Sequence, residues 1–223
     1  MTLDGILRRV SGPFRRIEDW DVVAEPEAFR RGIFAGHISS RVLPFLPAGA
    51  AKFTLLREPV DHAVSLYAWA RALRDDITHM ARGGDAVRLV EAAHDLSFME
   101  FTTSDDGLLC SYMRNPQTRI FACGNDHLPL ERMGPDLLEA AKRVLEDFEF
   151  VGVTSRFGRS LECIGQRFLS GTIGKFHSAH RIKMVVEKDD EAIRRINHLD
   201  SQLYDWALDC FDDSPIAVSG KAR

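Results

Sequence analysis

The sequence predicts an α/β fold in which a small, mostly parallel sheet is flanked by helices. Short apolar runs typical of buried strands occur at 33–39, 53–56 and 148–153, and segments with apolar residues at helical spacing lie between them. Strands that alternate with helices in this way favour a parallel sheet. The length of 223 residues and the hydrophobic content of 45% suit one sizeable core. We therefore expect residues 1–223 to form a single domain.

The first half of the chain contains three predicted helical segments. Apolar residues at helical spacing predict a short helix over 2–10 and a helical turn over 41–45. A longer helix of about 60–74 is predicted after strand 53–56, and Pro59 stands in its first turn. Proline suits that position because an N–H group there has no partner within the helix.

The second half begins with a less regular region and ends in clear helical periodicity. Over 75–135, turn signals separate short helical patterns. An amphipathic helix is predicted to begin at Pro135. Ser155 is the predicted N-cap of a helix that runs to about residue 169, and a last helix is predicted over about 189–211.

Charge and hydropathy count against two broad classes of function. The formal net charge of −4 argues against a general nucleic-acid binder. No apolar run approaches the ~20 residues that a membrane-spanning helix needs. Residues 1–10 are too short and too charged for a signal peptide. We therefore expect a cytoplasmic protein without a membrane span.

The cysteines and histidines do not predict a metal site. The cysteines contain no C-x-x-C pair, so they suit inert thiols in a reducing compartment; they are Cys110, Cys123, Cys163 and Cys210. His177 and His180 have a spacing that metals sometimes use. With no carboxylate or thiol in register, a solvated loop or helix face is the favoured interpretation.

The segment from Arg57 to Tyr67 is the most informative part of the chain. Arg57 is predicted at the end of a buried strand, and Ser65 lies on the helix that follows. A planar guanidinium group and a hydroxyl group together suit the binding of a phosphate monoester. The alternative is that Arg57 only pairs with a nearby carboxylate such as Glu58 or Asp61.

This segment resembles the 3′-phosphate-binding motif of the sulfotransferases that use 3′-phosphoadenosine 5′-phosphosulfate, and of their carbohydrate-type branch in particular. The family pattern is L-R-[DE]-P-x-x-R-x-x-S-x-Y. Arg57, Pro59, Ser65 and Tyr67 match it, while His62 replaces the second arginine. The resemblance implies that Arg57 and Ser65 hold the 3′-phosphate of the sulfuryl donor. The alternative for Ser65 is a simple helix hydroxyl.

Four further segments resemble the family's sequence, in the family's order. The resemblance implies that His37 is the catalytic base, because the equivalent histidine has this role in uronyl-type members and imidazole titrates near neutral pH. The alternative is a structural histidine at a strand end. Arg119 would contact the nucleotide or a carboxylate. The segments are Gly36-His37-Ile38-Ser39, Asn115-Pro116-Gln117-Thr118-Arg119, Phe150-Val151-Gly152-Val153-Thr154 and Asn197-His198-Leu199-Asp200-Ser201-Gln202-Leu203-Tyr204.

The family's opening strand and P-loop-like turn, roughly H-x-P-K-T-[AG]-G-[ST]-[ST]-L, have no counterpart in the sequence. That turn holds the 5′-phosphosulfate through backbone N–H groups and a lysine. Lys52 and Lys175 lack the glycine-rich context for this role. We therefore expect a P-loop-like sulfotransferase fold whose first strand is missing.

The resemblance implies transfer of a sulfuryl group from 3′-phosphoadenosine 5′-phosphosulfate to the hydroxyl group of a small molecule or carbohydrate, a reaction that needs no metal. The region 75–135 is the expected acceptor side, because loops over a rigid scaffold usually carry specificity. One alternative is a truncated or inactive relative that acts as a nucleotide-binding or interaction module. Another is a kinase, which would need a Walker-type glycine loop that the sequence lacks.

Overall fold

The computed structural model describes residues 14–18, 33–37, 39–73, 84–124, 133–168 and 184–213. Within these ranges the chain is mostly helical and has short strands that pair in parallel, which is compatible with the predicted α/β class. The helix predicted over 2–10 lies outside the described residues, as do Lys175, His177 and His180.

The described strands form two separate parallel pairs. β1 (Phe14–Glu18) pairs with β2 (Ile33–His37), and β3 (Phe53–Leu56) pairs with β4 (Phe150–Val153). The predictions for β2, β3 and β4 are confirmed with small shifts of boundary. β1 was not predicted, because two adjacent arginines interrupt the apolar run that signals a buried strand.

Nine α-helices are described within these ranges. The helices predicted to begin near residues 60, 135 and 157 are confirmed, and the turn over 41–45 belongs to a 3-10 helix, Ser40–Phe45. The described part of 75–135 consists of four consecutive helices. The helices are α1 (Pro59–Ala72), α2 (Gly84–Asp95), α3 (Phe98–Thr103), α4 (Gly107–Met113), α5 (Pro116–Cys123), α6 (Pro135–Glu146), α7 (Phe157–Phe168), α8 (Asp190–Ile196) and α9 (His198–Asp213).

The prediction of one continuous helix over 189–211 was wrong, because the chain breaks between α8 and α9 at Asn197. The Nδ2 group of Asn197 donates to the carbonyl oxygen of Ile193 at 3.0 Å. Its Oδ1 accepts from the backbone N–H of Asn115 at 2.7 Å. The apolar period continues across the break, since Ile193 and Leu199 are both buried. Periodicity alone therefore does not reveal the break.

The prediction of Ser155 as an N-cap was also wrong. Ser155 lies within a 3-10 turn, Thr154–Arg156, that separates β4 from α7. Its hydroxyl oxygen accepts a hydrogen bond from the Tyr204 hydroxyl at 2.6 Å. Ser155 therefore links the end of β4 to α9.

The buried apolar residues form two clusters. The first packs β3 and β4 against α5, α6, α7 and α9, and the second holds α1, α2, α3, α4 and α8 together. Leu56 belongs to the first cluster and Val60 to the second, so residues 57–59 cross from one cluster to the other. Burial of both neighbours restricts where this short link can lie. Among the described helices, none combines the length and apolar character that a membrane crossing requires.

Replacing Gly152 of β4 with alanine is expected to lower the free energy of unfolding by about 1–3 kcal/mol. A Cβ atom there would lie 2.6 Å from Leu55 Cδ2, 2.7 Å from Phe150 Cε1 and 2.8 Å from Ser160 Oγ. Urea denaturation measures the change. The matched control is Gly158→Ala in α7, where nothing lies within 4 Å of the added atom. That variant should be as stable as the natural chain or about 0.5–1 kcal/mol more stable. Equal stability of the two variants would contradict the prediction.

Candidate anion site at the end of β3

Arg57 immediately follows β3, at the carboxyl end of a parallel strand pair. In open α/β sheets, ligands bind at the carboxyl ends of the strands. The backbone of Arg57 is held at two points by one side chain: its N–H donates to Gln117 Oε1 at 2.8 Å, and its carbonyl oxygen accepts from Gln117 Nε2 at 2.7 Å. The arginine therefore starts from a fixed peptide orientation and is only half-buried.

Glu58, the residue next to Arg57, caps α1. Its Oε2 accepts from the N–H groups of Val60 at 2.8 Å and Asp61 at 3.0 Å. Its Oε1 accepts from Arg194 Nε at 2.9 Å. Both oxygens of this carboxylate thus have partners in the helix terminus and in α8. Glu58 therefore has a capping role at the start of α1 and an ion pair with α8.

The matched residues on α1 face different surroundings. Ser65 is half-buried and shares a helix face with Glu58 and His62, which precede it by seven and three residues. Tyr67 is buried and belongs to the second core cluster. Its hydroxyl donates to the carbonyl oxygen of Leu96 at 2.8 Å. Ser65 therefore lies on the helix face that carries Glu58 and His62, whereas Tyr67 has a structural role.

His37 is the last residue of β2, so it also stands at the carboxyl end of a parallel strand. Its register partner in β1 is Glu18. The description of these two strands covers their backbone, and the side chains of both residues lie outside it. The structure thus places Arg57 directly before α1 and Ser65 within that helix, and it places His37 on the other strand pair.

A buried carboxylate that the sequence analysis did not assign caps α5. Asp200 of α9 is 1% exposed. Its oxygens accept from the backbone N–H groups of Gln117 at 3.1 Å and Thr118 at 2.7 Å. These are N–H groups of the first turn, which lack partners within a helix. The residue that normally provides such a cap, Asn115, makes no side-chain bond to its own helix.

Asn115 caps α9 in return. Its Oδ1 accepts from the N–H groups of Leu199 at 2.9 Å and Asp200 at 3.1 Å, both in the first turn of that helix. Asn115 has a φ of 49°, the one positive φ of a non-glycine residue in the described ranges. Asparagine tolerates this conformation better than most residues. The first turns of α5 and α9 are therefore joined by a reciprocal cap, formed by Asn115 and Asp200.

Burial shifts the pKa values of two ionisable residues in this region. Desolvation raises the pKa of the Asp200 carboxyl above its ordinary value, against the opposing effect of the N–H donors from Thr118 and Gln117. Desolvation also lowers the pKa of Arg119, which is 1% exposed. Arg119 Nη1 donates to the carbonyl oxygen of Ser111 at 2.7 Å. The Arg119 side chain thus bonds to the backbone within the protein interior. A contact between Arg119 and a surface-bound nucleotide is not supported.

Lys52 lies at the opposite end of β3 from Arg57. It precedes Phe53, the first residue of the strand. Its backbone N–H donates to the Glu149 carboxylate, and its ammonium group lies 5.8 Å from the centre of the Phe148 ring. It therefore does not stand where a lysine could share a ligand with Arg57. No group of metal-binding side chains occurs in the part of the chain that the structure describes.

A separate cleft of about 490 Å³ lies between α1, the start of α3 and residues 184–189. It is lined by Tyr67, Ser97, Phe98, Met99 and residues 186–189. Tyr67 is two residues beyond Ser65, about 200° further around the helix. The cleft therefore opens on a different face of α1 from Ser65.

Two of the described cysteines have shifted pKa values, and the shift makes them less reactive as nucleophiles. Cys110 and Cys123 are free thiols, and burial raises the pKa of each. A raised pKa leaves less thiolate, which is the reactive form. Both residues agree with the predicted inert thiols.

Comparison of the chain with protein-family models, with curated proteins and with solved structures found no match in any of the three.

Proposed function

We propose that this protein is a sulfotransferase that moves a sulfuryl group from 3′-phosphoadenosine 5′-phosphosulfate to an acceptor hydroxyl, on a small molecule or a carbohydrate, within a P-loop-like fold. The observation that carries the proposal is the placement of Arg57 at the carboxyl end of β3, directly before the helix that bears Ser65. This is a favourable place for an anionic ligand in a parallel α/β protein. The sequence pattern around these residues supports the choice of nucleotide.

Each candidate residue has a distinct task in this proposal. The Arg57 guanidinium group donates two parallel hydrogen bonds to the 3′-phosphate, and the Ser65 hydroxyl donates a third. The donor nucleotide supplies the sulfuryl group. His37 takes the proton of the acceptor hydroxyl as its oxygen forms a bond to sulfur and the bond from sulfur to the nucleotide breaks.

Calorimetric titration with adenosine 3′,5′-bisphosphate tests the proposal. We expect the chain to bind this nucleotide more tightly than 5′-AMP, which lacks the 3′-phosphate. Arg57→Ala should weaken binding of the bisphosphate roughly 10–100-fold, since a hydrogen bond to a charged group contributes about 1.5–3 kcal/mol. Binding of 5′-AMP should change little.

The control variant is Arg88→Ala, which removes an exposed arginine whose partner is Asp106. It should leave both affinities unchanged. Equal affinity for the two nucleotides, or an Arg57→Ala variant that binds as the natural chain does, would contradict the proposed phosphate site.

A second candidate function is a nucleotide-binding or interaction module without turnover. The sequence pattern favours it, because no glycine-rich turn for the 5′-phosphosulfate accompanies the residues proposed for the 3′-phosphate. Binding of the bisphosphate that depends on Arg57, with no sulfuryl transfer to a panel of hydroxyl acceptors, would select the module over the enzyme.

A further inference from the structure

The side chain of Gln117 bridges a buried carboxylate and the backbone of Arg57. Its Nε2 donates to the Arg57 carbonyl oxygen at 2.7 Å and to Asp200 Oδ2 at 3.4 Å, and its Oε1 accepts from the Arg57 N–H at 2.8 Å. The backbone N–H of Gln117 also donates to Asp200 Oδ2 at 3.1 Å. Asp200 therefore accepts from both the backbone and the side chain of Gln117, while the amide group of Gln117 bonds to the backbone of Arg57.

This contact gives the Arg57 peptide groups hydrogen-bond partners beyond the end of the β3–β4 ladder. The β3–β4 ladder ends at the pair Leu56–Val153, so the peptide groups of Arg57 lie beyond it. Backbone N–H and C=O groups need partners when they leave a sheet. One primary amide group supplies both a donor and an acceptor, as a neighbouring strand would.

The contact with Asp200 agrees with the direction in which the Gln117 amide points. Oδ2 of Asp200 accepts from the Gln117 backbone N–H and also faces the Nε2 end of the amide. The remaining Oε1 then faces the N–H of Arg57. Asp200 thus contacts both the start of α5 and the amide that meets the arginine.

The cap of α5 does not itself require the Gln117 side chain. The first-turn N–H groups of α5 are satisfied by Asp200 through the backbones of Gln117 and Thr118. The Gln117 side chain is directed to Arg57, 60 positions earlier in the chain. Its bonds therefore stabilise the position of Arg57 rather than the start of its own helix.

We propose that Gln117 is a positioning residue for Arg57, and that it sets the direction from which the guanidinium group meets a 3′-phosphate. The inference rests on the proposed function for its phosphate ligand. An arginine side chain is flexible, so a fixed peptide orientation reduces the number of conformations that must be lost on binding. Misplacement of a binding group by about 1 Å can cost as much as 100-fold in an enzyme.

The first test uses no nucleotide. Gln117→Met keeps the length of the side chain and removes both bonds to Arg57, so amide hydrogen exchange at Arg57 should become at least roughly 10-fold faster. The control is Gln202→Met, which removes a bond from an exposed glutamine to the carbonyl oxygen of His198. It should leave exchange at Arg57 unchanged. Unchanged exchange in Gln117→Met would overturn the proposal, whatever the nucleotide data show.

The second test is a double-mutant cycle with adenosine 3′,5′-bisphosphate. Gln117→Met should weaken binding roughly 10-fold in the natural background and have almost no effect in the Arg57→Ala background, because it acts through Arg57. A merely structural role would weaken binding by the same factor in both backgrounds, which would overturn the positioning role. If the natural chain does not select the 3′-phosphate, the proposed function fails and the ligand-directed part of this inference fails with it. The exchange experiment would then test only the contact between the Gln117 side chain and the Arg57 backbone.

Discussion

Asp200→Ala is expected to lower the free energy of unfolding by about 2–5 kcal/mol. The substitution leaves the N–H groups of Gln117 and Thr118 without their acceptor at the start of α5. A buried donor that loses its partner costs about 1–3 kcal/mol. Denaturation by urea, followed by circular dichroism, measures the change.

The matched control for this prediction is Asp205→Ala, an exposed aspartate of the same helix. It should change stability by less than about 0.5 kcal/mol, as exposed substitutions generally do. If Asp200→Ala and Asp205→Ala are equally mild, the reciprocal cap does not hold α5 and α9 together.

Asp200 also gives stability a pH dependence with a definite sign. Burial raises the pKa of this carboxyl in the folded chain above its ordinary value of 3.8, so the folded state binds the proton more tightly than the unfolded state. The stability that this proton linkage contributes is complete below the ordinary value and is lost as pH rises through the raised value. The natural chain should therefore lose stability relative to Asp200→Asn as pH rises above the ordinary value and through the raised one. An opposite slope would show that the N–H donors outweigh desolvation.

Asn115→Ala is the second substitution with a large expected effect, a loss of about 2–4 kcal/mol. It removes the acceptor for the N–H groups of Leu199 and Asp200 at the start of α9. It also places a Cβ-bearing residue without a polar side chain at a φ of 49°, which costs about 1–2 kcal/mol. Thermal and urea denaturation both report the loss.

Two further variants separate the causes of that loss. Asn115→Gly tolerates the positive φ and lacks the cap, so it should recover about 1 kcal/mol of the loss. Asn115→Asp keeps an acceptor for Leu199 and Asp200 but replaces the Nδ2 donor to the Ile196 carbonyl oxygen with an oxygen, so it should recover only the part of the loss that belongs to the cap. The assignment of the loss to the cap would be wrong if Asn115→Gly were as stable as the natural chain.

The elements predicted correctly are those whose evidence is local. β3, α1 and α6 have a continuous apolar run or a helical period with a proline at the start, and the structure confirms them. β1 was missed because Arg15 and Arg16 interrupt its apolar residues. The break at Asn197 was missed because it coincides with a side-chain bond to Asn115, which lies far earlier in the chain.

The same distinction between local and long-range evidence applies to the candidate site. Arg57 and Ser65 belong to one strand–helix unit, so their placement follows from local sequence, namely the apolar run of β3 and the proline that opens α1. The contacts that hold Arg57 follow from tertiary packing, since Gln117 lies 60 positions away from it and Asp200 lies 83 positions beyond Gln117. Asparagine, glutamine and aspartate can cap or bond many backbone groups, so their residue types predict polar contacts without choosing the partner. The choice is made when the first core cluster packs β3 with α5 and α9 and brings the first turns of both helices to the end of β3.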